Sequence, residues 1–169
     1  MAIGSSAMCG TFKREILAGI HRLTSSSRGD SSAISADTFK VAMFTNSSSI
    51  DADTTQYTTS NEVSGTNYTA GGAALSSVTI GLGDNSSSVP TAFVDFADTT
   101  FSSSTISSAR GALIYNSTLS GASTGSTTTA AANPAVAVIN FGGDKASSAG
   151  DFTIQYPAND ANNAIIRIS

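Results

Sequence analysis

The segment Thr38-Phe39-Lys40-Val41-Ala42-Met43-Phe44-Thr45 decides the fold class of this chain. Its side chains alternate with a period of two, and β-branched and aromatic residues suit the pleated, half-buried surface of a sheet. We therefore predict a strand in which Phe39, Val41 and Met43 face the core. Lys40, Ala42 and Phe44 should face a neighbour.

The same pattern recurs along the rest of the chain, where apolar segments of strand length alternate with Gly, Asn, Asp and Ser clusters. No helical pattern interrupts these segments, so the sequence predicts a mainly β fold, an antiparallel β-sandwich or barrel. The further predicted strands cover residues 73–82, 91–96, 100–106, 109–115, 135–141, 152–156 and 164–168.

Residues 11–23 form the exception, because their apolar side chains follow helical spacing. We predict one short N-terminal α-helix with Thr11 as its N-cap and with His21 and Arg22 near the negative end of the helix dipole. Its apolar face should pack against the β-domain or a neighbouring subunit. The apolar positions are Phe12, Ile16, Leu17, Ile20 and Leu23.

Two segments are poor in large apolar side chains. Residues 25–32 are polar or glycine throughout and predict a mobile linker, which divides the chain into a helix with linker (1–36) and a β-sandwich domain (37–169). Residues 119–133 are dominated by Ser, Thr, Gly and Ala and predict a long flexible hairpin loop or arm that orders only against a partner.

The charge content limits the class of partner. Charged residues make up 12% of the chain, and the formal net charge is -4 with a pI near 4.6. The eight Lys and Arg residues are scattered along the chain, so we predict no nucleic-acid partner. A surface with so little charge repels its own copies weakly, which favours a subunit of an assembly.

Targeting signals and disulfides are not expected. The N-terminus has neither a basic region nor a continuous apolar run, and apolar runs such as residues 135–139 fall far short of a membrane span, so we predict no membrane partner and synthesis in the cytoplasm. Cys9 is the single cysteine, which excludes an intrachain disulfide and indicates a small, partly buried apolar side chain.

The residues that carry enzyme chemistry are scarce. His21 is the single histidine, so neither a catalytic triad nor a zinc site with Cys9 is expected. Asp51 and Asp53, like Asp95 and Asp98, are interpreted as solvated loop acids rather than as a calcium site. We predict no catalytic residue, no cofactor and no metal, and therefore no enzyme.

Short motifs are interpreted in structural terms as well. The glycine pairs at Gly71-Gly72, Gly81-x-Gly83 and Gly142-Gly143 do not open a helix after a strand, so they predict turns rather than phosphate loops. Arg28-Gly29-Asp30 and the Asn-x-Ser/Thr sites are expected by chance in a chain this rich in Ser and Thr. Those sites begin at Asn46, Asn67, Asn85 and Asn116, and no glycosylation is predicted.

Three blocks of the sequence carry a resemblance. The first joins Thr11-Phe-Lys-Arg-Glu-Ile-Leu-Ala-Gly, Asp37-Thr-Phe-Lys-Val-Ala-Met-Phe-Thr and Asn61-Glu-Val-Ser-Gly-Thr-Asn-Tyr-Thr-Ala-Gly-Gly. The second joins Thr91-Ala-Phe-Val-Asp-Phe-Ala-Asp-Thr-Thr-Phe and Ala109-Arg-Gly-Ala-Leu-Ile-Tyr-Asn. The third joins Ala135-Val-Ala-Val-Ile-Asn-Phe-Gly-Gly-Asp-Lys, Gly150-Asp-Phe-Thr-Ile-Gln-Tyr-Pro and Ala164-Ile-Ile-Arg-Ile.

Together these blocks resemble a family of small virion structural proteins of tailed bacteriophages. The chain departs from the family pattern in a longer linker around Arg28 and an expanded segment at residues 119–133. The resemblance implies a place in the virion, with capsid decoration or cementing as the preferred role and no catalytic residues. The expected partners are the major capsid protein and further copies of this chain, as a homo-oligomer and most simply a trimer.

Two other functions are kept open. A tail or fibre component could recognise host glycans, for which Tyr57, Asn61 and Tyr68 are candidates, although an aromatic content of 7% without Trp offers few stacking platforms. A hydrolase would have to draw its acid chemistry from unassigned Asp pairs.

Overall fold

The fold is known from a computed structural model that describes residues 3–25, 35–121 and 131–169. In this part of the chain there is one short helix, and the remaining elements are strands in antiparallel sheets. The predicted mainly β fold with a short N-terminal helix is therefore confirmed. The elements are β1 (Ala7–Met8), α1 (Gly10–Leu17), β2 (Phe39–Thr45), β3 (Gly65–Thr66), β4 (Ala73–Ala74), β5 (Thr79–Asp84), β6 (Pro90–Asp95), β7 (Thr99–Asn116), β8 (Ala135–Ile154) and β9 (Ile166–Ile168).

The chain divides into two compact units. Unit 1 comprises Met1–Ala74 and Phe101–Phe152, and unit 2 comprises Leu75–Thr100 and Thr153–Ser169. One boundary between the units follows β4 at Ala74, and the other two fall inside β7 and β8. The predicted division after residue 36 stays a prediction, since residues 26–34 lie outside the described part of the chain.

The larger sheet has the strand order β1-β8-β7-β2-β4, and β3 also pairs with β7. The smaller sheet, in unit 2, has the order β5-β6-β9. Both orders are open at their ends among the described strands, so the fold is of the sandwich-like kind rather than a closed barrel.

Strand β2 lies inside the larger sheet, between β7 and β4. Phe39 is opposite Asn116, and the pairing runs on to Phe44 opposite Gly111 before the register shifts. Lys40 is half-buried as its alternating position predicts, but Ala42 and Phe44 are as buried as Val41 and Met43. Both faces of this strand are therefore covered, which explains its nearly continuous apolar sequence.

Strands β7 and β8 are longer than predicted. Each was expected as two strands but runs unbroken, for 18 and 20 residues respectively. The Ser- and Gly-rich stretches that suggested breaks contain residues with positive φ, such as Ser103, Ser108 and Ala149, which bend a strand locally without ending it. The predicted turn at Gly142-Gly143 is wrong for the same reason, because Gly142 adopts φ 73° inside β8.

Two further predictions about strands need correction. The strand expected over residues 73–82 is divided into β4 and β5. Gly81 and Gly83, expected in a turn, lie in β5 instead, whereas Gly71 does lie in a turn.

Helix α1 is shorter than predicted, and its boundaries differ. Its N-cap is Cys9 rather than Thr11, and it ends at Leu17 because Gly19 adopts φ 67°. The Gly19 N–H bonds to the Ile16 carbonyl and the Ile20 N–H to the Glu15 carbonyl, both at 3.0 Å, which is the Schellman pattern of a helix end. Residues 20–23 thus leave the helix, and Leu17 is 90% exposed rather than part of an apolar face.

Several predicted features lie partly or wholly outside the described residues. They are most of the 25–32 linker, the Arg28-Gly29-Asp30 tripeptide and the centre of the 119–133 segment. The ends of that last segment do pair as a hairpin would, since the Asn133 N–H bonds to the Leu119 carbonyl at 2.8 Å. No helix within the described ranges is long and apolar enough to cross a membrane.

Candidate interaction surface

The sheet of unit 2 aligns apolar side chains in rows across its three strands. Leu82 of β5 is opposite Ala92 of β6, which is opposite Ile168 of β9. One step along, Ile80 is opposite Val94, which is opposite Ile166. Because positions two apart in a strand point to the same face, both rows lie on one face of the sheet.

The two rows differ in burial. Val94 and Ile166 are buried, whereas Leu82 is 77% exposed, Ile80 is 50% exposed and Ile168 is 49% exposed. Ala92 is exposed as well. We name Ile80, Leu82, Ala92 and Ile168 the apolar sheet face. It is a contiguous apolar surface, which is more informative than single exposed apolar residues.

The opposite side of β5 explains the glycine at position 81. A Cβ on Gly81 would lie 2.2 Å from the Phe93 ring, so the position has no room for a side chain. Phe93 therefore covers the backbone of β5 on that side. The result is a strand whose large side chains, Ile80 and Leu82, all project to the apolar sheet face.

Strand β5 is also at the end of its sheet. Within the described residues it pairs with β6 and with no other strand, so one edge of its backbone has no strand partner. Unpaired strand edges can accept another strand. An exposed apolar face and an open edge thus occur on the same strand.

His21, the one histidine, is not at a helix end as predicted but is buried beyond the helix. Its Nε2 is 2.8 Å from the Glu15 carboxylate, and the Asn116 amide donates to its Nδ1 at 3.0 Å. The same amide group donates to Asp37 at 2.7 Å. Since Nδ1 accepts a hydrogen bond from the Asn116 amide, the Nε2–H group is the one that donates a hydrogen bond to the Glu15 carboxylate. This arrangement connects the end of the helix region to β7.

The two tyrosines considered as candidates for glycan binding, Tyr57 and Tyr68, both contact the Glu62 carboxylate. The hydroxyls of Tyr57 and Tyr68 donate to Glu62 at 2.6 and 2.7 Å, and the Gly71 N–H donates to it at 2.8 Å. Tyr68 is buried, and the ring of Tyr57 stacks on Tyr115 at a centroid distance of 4.4 Å. Burial and the bond to Glu62 raise the pKa of both Tyr57 and Tyr68. These groups hold the β2 region together.

The acidic pairs differ between the two units. Asp51 and Asp53 are exposed, as predicted, and the Asp53 N–H donates to the Asp51 carboxylate at 2.9 Å. Asp98 is exposed, but Asp95 is buried, which corrects its prediction as a solvated acid. One carboxylate oxygen of Asp95 has no hydrogen-bond partner among the described residues, and burial raises the pKa of its carboxyl.

The single cysteine, Cys9, lies in the core of unit 1. Cys9 is fully buried, and burial together with the nearby Asp51 raises the pKa of its thiol to about 12. Across the described part of the chain, no group of three or more His, Cys, Asp or Glu side chains is close enough to hold a metal ion.

Comparisons of the chain with protein-family models, with curated proteins and with solved structures found no match.

The apolar sheet face was not predicted from the sequence. The alternation of Ile80 and Leu82 with Gly81 and Gly83 was a usable signal, because it places all large side chains of the strand on one face. Whether that face is covered depends on tertiary structure, which periodicity alone does not reveal.

Proposed function

We propose that this chain is a structural protein of a tailed-phage virion, a decoration or cement protein that binds the outer surface of the head and stabilises the shell. Its partners are the major capsid protein and other copies of itself. The observation that supports this most is the apolar sheet face beside the open edge of β5.

An exposed apolar face is costly in a free protein but useful in an assembly. The apolar sheet face exposes the large side chains of Ile80, Leu82 and Ile168 to water. Burial of this surface against a partner would be favourable by roughly 25 cal/mol per Å² of apolar area. The edge of β5 adds backbone donors and acceptors for a partner strand. A subunit could thus be attached without ion pairs.

The charge content supports the same kind of attachment. With 12% charged residues, the chain has few groups for ion pairs with a partner. Apolar contacts persist at high ionic strength, whereas exposed ion pairs are screened. Attachment should therefore resist salt.

The test compares two exposed leucines on assembled particles. Leu82→Asp should prevent incorporation, because it places a charge in the apolar sheet face. Leu17→Asp is the matched control, since Leu17 is 90% exposed but lies on α1. Copies of each variant per particle are counted against the major capsid protein, before and after a wash in molar sodium chloride.

The expected result is a copy number comparable to that of the major capsid protein for the unmodified chain and for Leu17→Asp, retained in salt. Loss of Leu82→Asp alone would support the proposal. Normal incorporation of Leu82→Asp, or release of most unmodified copies at moderate salt, would contradict it. A copy number far below that of the capsid protein would favour the tail or fibre alternative.

A further inference from the structure

A second feature of the molecule is a cleft in unit 1. It is open to solvent, has a volume of about 450 Å³ and lies where the chain leaves β2. Residues 48–61 supply most of its wall, and Phe44 of β2 and Leu113 of β7 contribute buried apolar side chains. A volume of this order is within the range of small-molecule sites.

Ser48 is the most buried polar residue of the wall. It is only 3% exposed and it lines the cleft. Its hydroxyl can both donate and accept a hydrogen bond, so it adds a polar group that a ligand in the cleft could contact.

Three other polar side chains of the wall are exposed to solvent. The Asp53 carboxylate, the Gln56 amide and the Asn61 amide line the cleft and make no hydrogen bond to the described residues. Their backbones, by contrast, are fixed: the Asp53 N–H donates to Asp51, and the Asn61 carbonyl accepts from the Thr45 N–H at 2.9 Å. The backbone of the wall is thus fixed by hydrogen bonds, while these side chains remain accessible to a ligand.

Asn61 has an additional feature, because its backbone adopts φ 62°. A non-glycine residue in this left-handed region is uncommon, although Asn tolerates it better than most residues. The conformation is set by the pairing of Asn61 with Thr45 at the end of β2. It fixes the position of Asn61 in the wall of the cleft.

The chemistry of the wall defines the class of ligand. The lining residues include hydroxyls, two amides and two carboxylates but no Lys, Arg or His, so an anion such as a phosphate would find no positive charge. Amides and hydroxyls offer both donors and acceptors, and carboxylates accept bonds from hydroxyl groups. We propose that the cleft is a binding site for a neutral saccharide. This site does not depend on the assembly role proposed above.

The experiment titrates the full chain, labelled with nitrogen-15, with glucose, galactose, N-acetylglucosamine and their β-linked disaccharides. Amide signals in residues 48–61 should shift and saturate with at least one of these sugars. Glucose 6-phosphate serves as the charged probe and should bind about tenfold more weakly, because the carboxylates of the cleft repel it.

Two variants test the wall itself. Asn61→Gly keeps the positive φ but removes the amide, and Gln56→Ala removes the other amide, so each should weaken binding about tenfold. Gln155→Ala is the matched control, since Gln155 is exposed and does not line the cleft. Its binding should equal that of the unmodified chain.

Saturable shifts at residues 48–61 that both variants weaken and the control preserves would support the proposal. The proposal is overturned if none of the neutral sugars gives a saturable shift there, or if both amide variants bind as well as Gln155→Ala. Equal or tighter binding of glucose 6-phosphate would also contradict it.

Discussion

The two units differ in the burial of their apolar side chains and in the hydrogen bonding of their buried carboxylates. Unit 1 buries Phe12, Phe44 and Leu113 almost completely, and its buried Glu15 is partnered by His21. Unit 2 leaves Leu82 largely exposed and buries Asp95, one oxygen of which has no hydrogen-bond partner among the described residues. Unit 1 therefore buries its largest apolar side chains, with Leu17 as the exposed exception, whereas unit 2 has a contiguous apolar surface still to cover against a partner.

This difference separates stability from attachment. Changes in the core of unit 1 should alter the free energy of unfolding, and changes on the apolar sheet face of unit 2 should alter association alone. Four measurements test this separation, and the first two concern unit 1.

The largest effect is expected from Phe12→Ala. Phe12 is fully buried on α1, and truncation of a buried Phe lowers the free energy of unfolding by about 3–5 kcal/mol. Leu17→Ala on the same helix should change it by less than about 0.5 kcal/mol, because Leu17 is exposed. Urea unfolding measures both. Equal effects of the two substitutions would mean that α1 does not contribute its Phe12 side to the core.

A smaller loss is expected from His21→Ala. It removes the donor at 2.8 Å from the buried Glu15 carboxylate, which should lower the free energy of unfolding by about 2–3 kcal/mol. Arg14, whose guanidinium lies 3.7 Å from the same carboxylate, is more exposed, so Arg14→Ala should have an effect below about 1 kcal/mol. A double-mutant cycle with Glu15→Gln would show coupling between positions 15 and 21. Independent effects would exclude a functional Glu15–His21 pair.

In unit 2, Asp95→Asn should alter the pH dependence of stability. Burial raises the pKa of Asp95, the Phe96 backbone hydrogen bond opposes this, and the Asp98 carboxylate adds to it. The contribution of Asp95 to stability is thus present below its ordinary pKa near 4 and lost as the pH rises through the raised value.

The stability of Asp95→Asn relative to the unmodified chain should therefore be higher at pH 7 than at pH 4. The comparison uses hydrogen exchange of β6 amides at the two pH values. Asp84→Asn, which replaces an exposed carboxyl of β5, is the control and should show no such gain. If both variants gained the same stability at pH 7, the change in net charge rather than the burial of Asp95 would be its cause.

The smallest effect on unfolding is expected from Leu82→Ser. A substitution on an exposed face changes the free energy of unfolding by no more than about 0.5 kcal/mol. Urea unfolding at two protein concentrations measures it, and any loss that grows with concentration reports association instead. A loss of several kcal/mol in the monomer would show that Leu82 belongs to a core.

The features that could be predicted from the sequence are those that depend on residues close together along the chain. Strand β2 was predicted to within one residue, because its period of two is uninterrupted. Helix α1 was predicted but extended too far, although Gly19 was a visible stop signal. Breaks were predicted in β7 and β8 because Ser and Gly clusters usually mark turns, whereas neighbouring strands keep these segments extended.

The contacts that could not be predicted join distant parts of the chain. Asn116 is 95 residues from His21, so the hydrogen bond between them follows from the tertiary fold. The exposure of Leu82 and the burial of Ser48 likewise depend on which segments pack nearby. The polar composition of residues 48–61 was visible, but the cleft that they form was not.

The pairing of β1 with β8 has a consequence for how the protein is made. Ala7 is opposite Val138, and the Asn140 N–H donates to Ser6, a residue 134 positions earlier. At a translation rate of about 5–20 residues per second, β8 is synthesised many seconds after β1. Strand β1 cannot pair with β8 during that time, so we expect completion of the larger sheet to be a late folding step. Pairing of strands that are distant in sequence is also typically slow.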